Sequence, residues 1–208
     1  MRKRKVLTSV VLNTTASILM LALERGYSFK MGRYMDEITR SMDYLASHDN
    51  TVFLGQAVAV AGTAMRNTLL NIKEEKLIEL PVEEEFQLGL SIGLSLNRKT
   101  PICIFPRWNF LLLATNQIVN HLDKLKELTQ TQDPGKVIIR TGIGSKNPLH
   151  PGPQHTGDFT EAFKLMCPSI NVVRLDTTEM IFDEYKKAYE RDDGTSSLLI
   201  EWSDRYND

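Results

Sequence analysis

The sequence predicts an α/β domain, a three-layer sandwich in which a mostly parallel sheet carries helices on both faces. Three observations lead there. Short runs of Val, Ile and Leu recur along the chain, as strands buried on both faces require. Segments with apolar residues at helical spacing separate these runs. No internal repeat or low-complexity linker breaks the alternation.

The elements follow in order. Residues 32–49 place Met35, Ile38, Met42 and Leu45 on one face of a helix. TVFLG (51–55) reads as a short buried strand that ends in glycine, and MRNTLLNIKEE (65–75) as a helix. KLIEL (76–80) is a second strand, and EEEFQLGLSIGLSL (83–96) a helix with small residues along one stripe. PICIF (101–105) is a strand and NFLLLATNQIVNHLDKLKEL (109–128) one long helix. KVIIRT (136–141) is a strand that leads into a Gly- and Pro-rich loop, residues 142–159. FTEAFKLMC (159–167) and TEMIFDEYKKAYER (178–191) read as helices, and INVVRL (170–175) and SLLIEW (197–202) as strands. Ligands of such sheets bind at the carboxyl ends of the strands. The loops that begin at Gly55, Pro81, Pro106 and Gly142 are therefore the ones to watch.

Bulk properties narrow the function. With 208 residues the chain holds one well-packed domain and little more. A formal net charge of −1, with both signs interleaved, argues against a large nucleic-acid footprint. Cys103 and Cys167 stand alone in apolar company, without a CxxC pair or a His/Cys cluster, so neither a zinc site nor a disulfide framework is expected. They read as buried, reduced thiols of a cytoplasmic protein. MRKRK followed by an apolar run has the charge order of a secretion signal, yet Thr, Ser and Asn interrupt the run and no small-x-small cleavage site follows. Residues 1–33 are expected to be an N-terminal extension and residues 34–208 the domain; a membrane-directed segment is the alternative for the extension.

The triplet Glu83-Glu84-Glu85 opens the helix that follows Pro81. Carboxylates in a first helical turn ordinarily complement the dipole and stay in water. This helix, however, carries Gly89 and Gly93, each costing about 1 kcal/mol relative to alanine in a helix interior. Such glycines point to a close approach by another backbone or a ligand, and so to a helix start at which not every carboxylate is wet.

Pro81-x-x-Glu84-x-x-x-x-Gly89-x-x-x-Gly93 resembles the pyrimidine-binding domain of thiamin diphosphate enzymes, above all the beta subunits of 2-oxo-acid dehydrogenases, with transketolases related. The likeness continues in register through PIC (101–103), WNFLLLATNQIVN (108–120), VIIRTGIG (137–144), QHT (154–156) and CPSINVVRLDTTEM (167–180). It covers about residues 34–202. The resemblance implies that Glu84 hydrogen-bonds the aminopyrimidine ring and shares the proton that activates the cofactor. It implies that Phe110 stacks on the pyrimidine, that Val82 belongs to the cofactor-binding residues, and that His155 faces the reacting substrate. A core phenylalanine and an ordinary loop histidine are the plainer alternatives for the last two aromatic residues. His150 is a weaker second candidate, and His48 and His121 read as surface or helix-end residues.

Departures from the family pattern qualify this. Gln56 stands where these subunits commonly carry an acid that links paired sites, Phe86 where glycine is common, and Leu113 where glutamine is common. Arg107 and Trp108 make the strand-end loop bulkier and more basic. The Gly-Asp-Gly and Asn-Asn pair that holds magnesium and the diphosphate in such enzymes is missing from this sequence. The resemblance thus implies the pyrimidine-binding subunit of a split thiamin diphosphate enzyme, inactive by itself. Mg2+ and the diphosphate would be held by a partner chain, no metal site would lie in this one, and pairs of this chain would sit within a hetero-oligomer. Its substrates would be 2-oxo acids or ketose phosphates, processed through a carbanion–enamine. The alternatives are a cofactor-free assembly or regulatory domain on the same fold, and an unrelated flavodoxin-like binding domain.

Overall fold

A computed structural model describes residues 33–61, 63–147 and 150–208; the extension expected before residue 33 lies outside them. Helix α1 (Tyr34–Ala46) precedes β1 (Thr51–Gly55), and β2 (Leu77–Glu79) leads to α2 (Glu84–Leu96) and β3 (Thr100–Ile104). A helical stretch begins with α3 (Trp108–Leu111) and closes with α4 (Leu125–Thr129). Then follow β4 (Ile138–Ile143), α5 (Thr160–Met166), β5 (Asn171–Arg174), α6 (Thr178–Glu190) and β6 (Ser197–Trp202). The strands form one sheet in the order β2-β1-β3-β4-β6-β5, every neighbouring pair parallel. The expected fold class is the observed one.

Alternate strand residues feed two cores, as the two-residue period of a strand dictates. Leu54, Cys103, Ile139 and Leu198 pack with Leu88 of α2, Trp108 of α3 and Phe163 of α5. Phe53, Ile102, Ile138 and Leu199 pack with Ile38 and Met42 of α1 and with Ile181 and Tyr185 of α6. Both cysteines are free and buried, as expected. No helix among the described residues is long and apolar enough to cross a membrane.

Two expected helices take another form. Residues 65–75 make two short 3-10 turns, Ala64–Leu69 and Glu74–Lys76. Thr63 accepts the N–H of Arg66 and the Thr68 hydroxyl donates to the Met65 carbonyl, local bonds that compete with the α-helical ladder. The stretch 109–128 runs from α3 through a 3-10 turn (Leu112–Ala114) and a π turn (Gln117–Leu122) before α4. In the π turn Asp123 N–H reaches back five residues to Ile118 C=O, at 2.8 Å.

Inside the sheet, Arg140 of β4 and Glu201 of β6 form a fully buried pair: Nε donates to Oε1 at 2.7 Å and Nη2 to Oε2 at 2.9 Å. Arg140 Nη1 donates to the Thr68 hydroxyl at 3.2 Å, and the Tyr185 and Tyr206 hydroxyls both donate to Glu201. Burial works against the charged guanidinium, but the Glu201 carboxylate outweighs it and holds Arg140 protonated. Burial and the same carboxylate push both tyrosine hydroxyls far above their ordinary range. Tyr206 therefore pins the 3-10 turn Ser203–Asn207 to the carboxyl end of the sheet.

Candidate functional site

Strand β2 ends at Glu79, Leu80 N–H still bonds the Gly55 carbonyl at 2.9 Å, and α2 starts at Glu84 after an exposed turn. On α2 the buried residues are Glu84, Gln87, Leu88, Ser91 and Ser95, one stripe at helical spacing. Glu84 falls on that stripe and is 5% exposed; Glu83 and Glu85 fall off it and are exposed. One of three adjacent carboxylates is thus drawn inward by its phase on the helix. Gln87, a turn further on, donates to the Ile104 carbonyl at 2.9 Å and fastens the helix start to the end of β3.

The side chain that meets Glu84 comes from the end of β1: Gln56 Nε2 donates to Glu84 Oε1 at 3.0 Å. Gly55 turns the chain there at φ 155°, and a Cβ on it would lie 2.4 Å from the Ile104 carbonyl oxygen, so no other residue fits. The loop beyond is organised by Glu79, whose carboxylate accepts the N–H groups of Ala57 (2.6 Å), Val58 (2.9 Å) and Ala59 (2.7 Å). Ala57 takes a left-handed conformation, φ 51°, to allow it.

Beside Gln56 opens a cavity of about 570 Å³ at the carboxyl ends of β1, β3, β4 and β6, lined by Met65, Arg107, Phe110, Ser145 and Tyr206 among others. Phe110 lies half-buried in its wall with its ring 6.5 Å from that of His155, tilted by 30°. The Nδ1 of His155 is buried and has no hydrogen-bond partner among the described residues. The His155 backbone lies across Gly144, where a Cβ would sit 1.8 Å from the His155 carbonyl oxygen, so the loop closes down only over glycine.

Of the expected site residues Phe110 lines the cavity; Glu84 stands behind Gln56 and His155 beside Phe110, and neither is itself a lining residue. Val82 is 71% exposed on the turn before α2 and does not line the cavity. His150 is exposed, its Nδ1 accepting Gly152 N–H at 3.1 Å. His48 ends α1 stacked on Tyr189, ring centroids 4.1 Å apart, and His121 is exposed. Among the described residues no cluster of His, Cys, Asp or Glu could hold a metal ion. Sequence reasoning missed Glu79 and Tyr206. A carboxylate inside the apolar run KLIEL was the available signal for Glu79; nothing local signals Tyr206.

Comparison with known proteins yields likenesses of three kinds. The family described as "Transketolase, pyrimidine binding domain" matches residues 34–206. The "Pyruvate dehydrogenase E1 component subunit beta, mitochondrial" of Caenorhabditis elegans is 28% identical over 142 residues, 66% of this chain and 40% of that protein. The Homo sapiens protein of the same name is also 28% identical over 142 residues, 39% of its length. The chain therefore spans about two fifths of the relatives it matches. Among solved structures, a "Split gene transketolase, inactive beta4 tetramer" aligns with TM-score 0.59 at 16% identity, over 81% of this chain and 51% of that one.

Proposed function

Because this chain belongs to the transketolase pyrimidine-binding domain family, we propose that it is the pyrimidine-binding subunit of a split thiamin diphosphate enzyme that acts on 2-oxo acids or ketose phosphates. One observation carries the reading: a single carboxylate, Glu84, is buried at a helix start and bonded to Gln56, which lines a cavity at the carboxyl end of the sheet. The residues fit the pyrimidine half of the cofactor. Glu84 has one oxygen held by Gln56, Phe110 offers an aromatic face, and His155 has a ring nitrogen without a partner among the described residues. When bound, the cofactor supplies a carbon nucleophile for making and breaking bonds beside a carbonyl.

In this scheme Glu84 holds a proton at the pyrimidine ring nitrogen, with Gln56 fixing its orientation. Phe110 orients the ring and keeps water from it. His155 moves a proton at the substrate. Val82, exposed in this chain, contacts the cofactor where the partner covers it. The partner is a separate chain that holds magnesium and the diphosphate. Copies of this chain pair through the exposed apolar stripe of α2, Phe86 and Leu96 with Gly89 and Gly93 between. The free buried thiols support a reducing compartment, which we take to be the cytoplasm.

The test is Glu84→Gln in the reconstituted complex, read by deuterium exchange at the thiazolium carbon. Exchange should fall by orders of magnitude with assembly intact, because an amide cannot hold the proton. Unchanged exchange would refute the role of Glu84. The Gln56–Glu84 bond, made where family members commonly carry an acid, favours a second reading: an assembly or regulatory domain without turnover. That reading requires the unaltered complex to show no exchange above the free cofactor.

A further inference from the structure

The cavity beside Gln56 is basic in a way that Glu84, Phe110 and His155 do not explain. No Asp or Glu is among its described lining residues, and Arg107 is the charged residue in its wall. Arg107 stands between β3 and α3 with an extended backbone, φ −155° and ψ 163°, and its carbonyl accepts Phe110 N–H at 3.2 Å. The main chain therefore ties Arg107 to Phe110, and the side chain is left to the cavity.

Among the described residues no carboxylate pairs with the Arg107 guanidinium, whereas Arg33, Arg40, Arg98, Arg140, Arg174, Arg191 and Arg205 each have one. Arg66 shares the lack of an ion pair among these residues but does not line the cavity. Asp204, in the 3-10 turn that lends Ser203 and Asn207 to the cavity, is already engaged: its Oδ1 accepts the N–H groups of Lys146 at 2.8 Å and Asn147 at 3.2 Å. A half-buried arginine in a concave site without acidic lining residues binds carboxylates and phosphates through paired N–H groups. Thr63, Ser145, Asn147, Ser203 and Asn207 supply neutral hydrogen-bonding groups around it for the rest of such a molecule.

We propose that Arg107 is a specificity-determining residue that anchors the charged end, carboxylate or phosphate, of a small organic anion in this cavity. The proposal rests on the reading above for the reaction it serves. It narrows that reading to substrates held by their charge at this chain's own arginine. Anion capture needs neither the cofactor nor the partner and is measured without them.

The experiment titrates the full 15N-labelled chain with inorganic phosphate, fructose 6-phosphate, pyruvate and fructose, following the arginine Nε–Hε resonances and the amides of residues 105–110 and 144–147. Saturable binding of an anion is expected, fructose should bind far more weakly, and Arg107→Ala should weaken the anion by about tenfold or more. Arg107→Lys should fall between, keeping the charge but losing the fork; it also serves as the variant should Arg107→Ala not fold. Preference for pyruvate or for the phosphates identifies the anion, and either supports the anchor. Equal anion affinity in Arg107→Ala or Arg107→Lys, binding of fructose as tight as fructose 6-phosphate, or no saturable anion binding would overturn it. The titrations use this chain without cofactor or partner, whereas the exchange test reads the cofactor in the reconstituted complex. Failure of the thiazolium exchange test beside Arg107-dependent binding therefore removes the cofactor reading alone.

Discussion

Glu201 accepts hydrogen bonds from Arg140, Tyr185 and Tyr206 in a place without water, so its charge is tolerable only while Arg140 stands against it. Arg140→Met should destabilise the domain by about 3–5 kcal/mol, the cost of an unpaired buried charge. The double variant Arg140→Met/Glu201→Leu should recover much of that loss, and denaturant unfolding of the three proteins measures it. The cysteines are withdrawn in a different sense. Burial pushes the Cys103 thiol up to about 12 and the Cys167 thiol up to about 11. Neither should react with a disulfide reagent at pH 8 on the timescale of the unfolded chain; prompt reaction of the native protein would contradict this burial.

Helix α2 shows two faces with opposite demands. Its buried stripe carries Glu84 and Gln87, while Gly89 and Gly93 lie on the exposed one, with no atom within 4 Å of where a Cβ would stand. The close approach that the sequence led us to expect is thus not made within the described residues, and an added methyl would fit. Gly89→Ala should raise the stability of the single chain by about 0.5–1 kcal/mol through helix propensity. If copies pair through this face, the same change should weaken their association, and Phe86→Lys more so. Thermal melting and sedimentation read the two effects separately. On α5, Asp158 binds the Thr160 N–H and hydroxyl at the helix start and the Arg174 guanidinium at 2.8 Å. Burial works to raise its pKa, but the Thr160 bonds and Arg174 outweigh it and leave the carboxyl below its ordinary 3.8. Its contribution to stability is therefore complete above about pH 4 and fades as pH falls through the lower folded value. The melting temperatures of the native protein and Asp158→Asn should differ at neutral pH and converge as the pH falls through the lowered folded value.

At the scale of the whole molecule, apolar runs of five or six residues located all six strands, because strands buried on both faces leave little else to read. Periodicity could not place the 3-10 and π turns, since side-chain bonds from Thr63 and Thr68 and the five-residue reach of Asp123 decide those locally. Motif order singles out Glu84, Phe110 and His155; the structure buries the first and sets the rings of the other two 6.5 Å apart. Gln56 had been noted for the acid it replaces, not for the bond it makes to Glu84, and Tyr206 acts from the far end of the chain. On the proposed function the chain holds one half of a cofactor site and should bind thiamin diphosphate and magnesium weakly by itself, which calorimetric titration measures; tight binding would argue against a partner holding the other half. The Glu79 carboxylate has one more consequence. The amides of Ala57, Val58 and Ala59 belong to a surface loop, where protons ordinarily exchange with water within seconds, yet each donates to the same Glu79 carboxylate. They should exchange far more slowly than their surroundings, and Glu79→Gln should release them. A loop ordered beforehand in this way loses little conformational entropy when a ligand arrives, so that wall of the cavity is already in its final shape while empty.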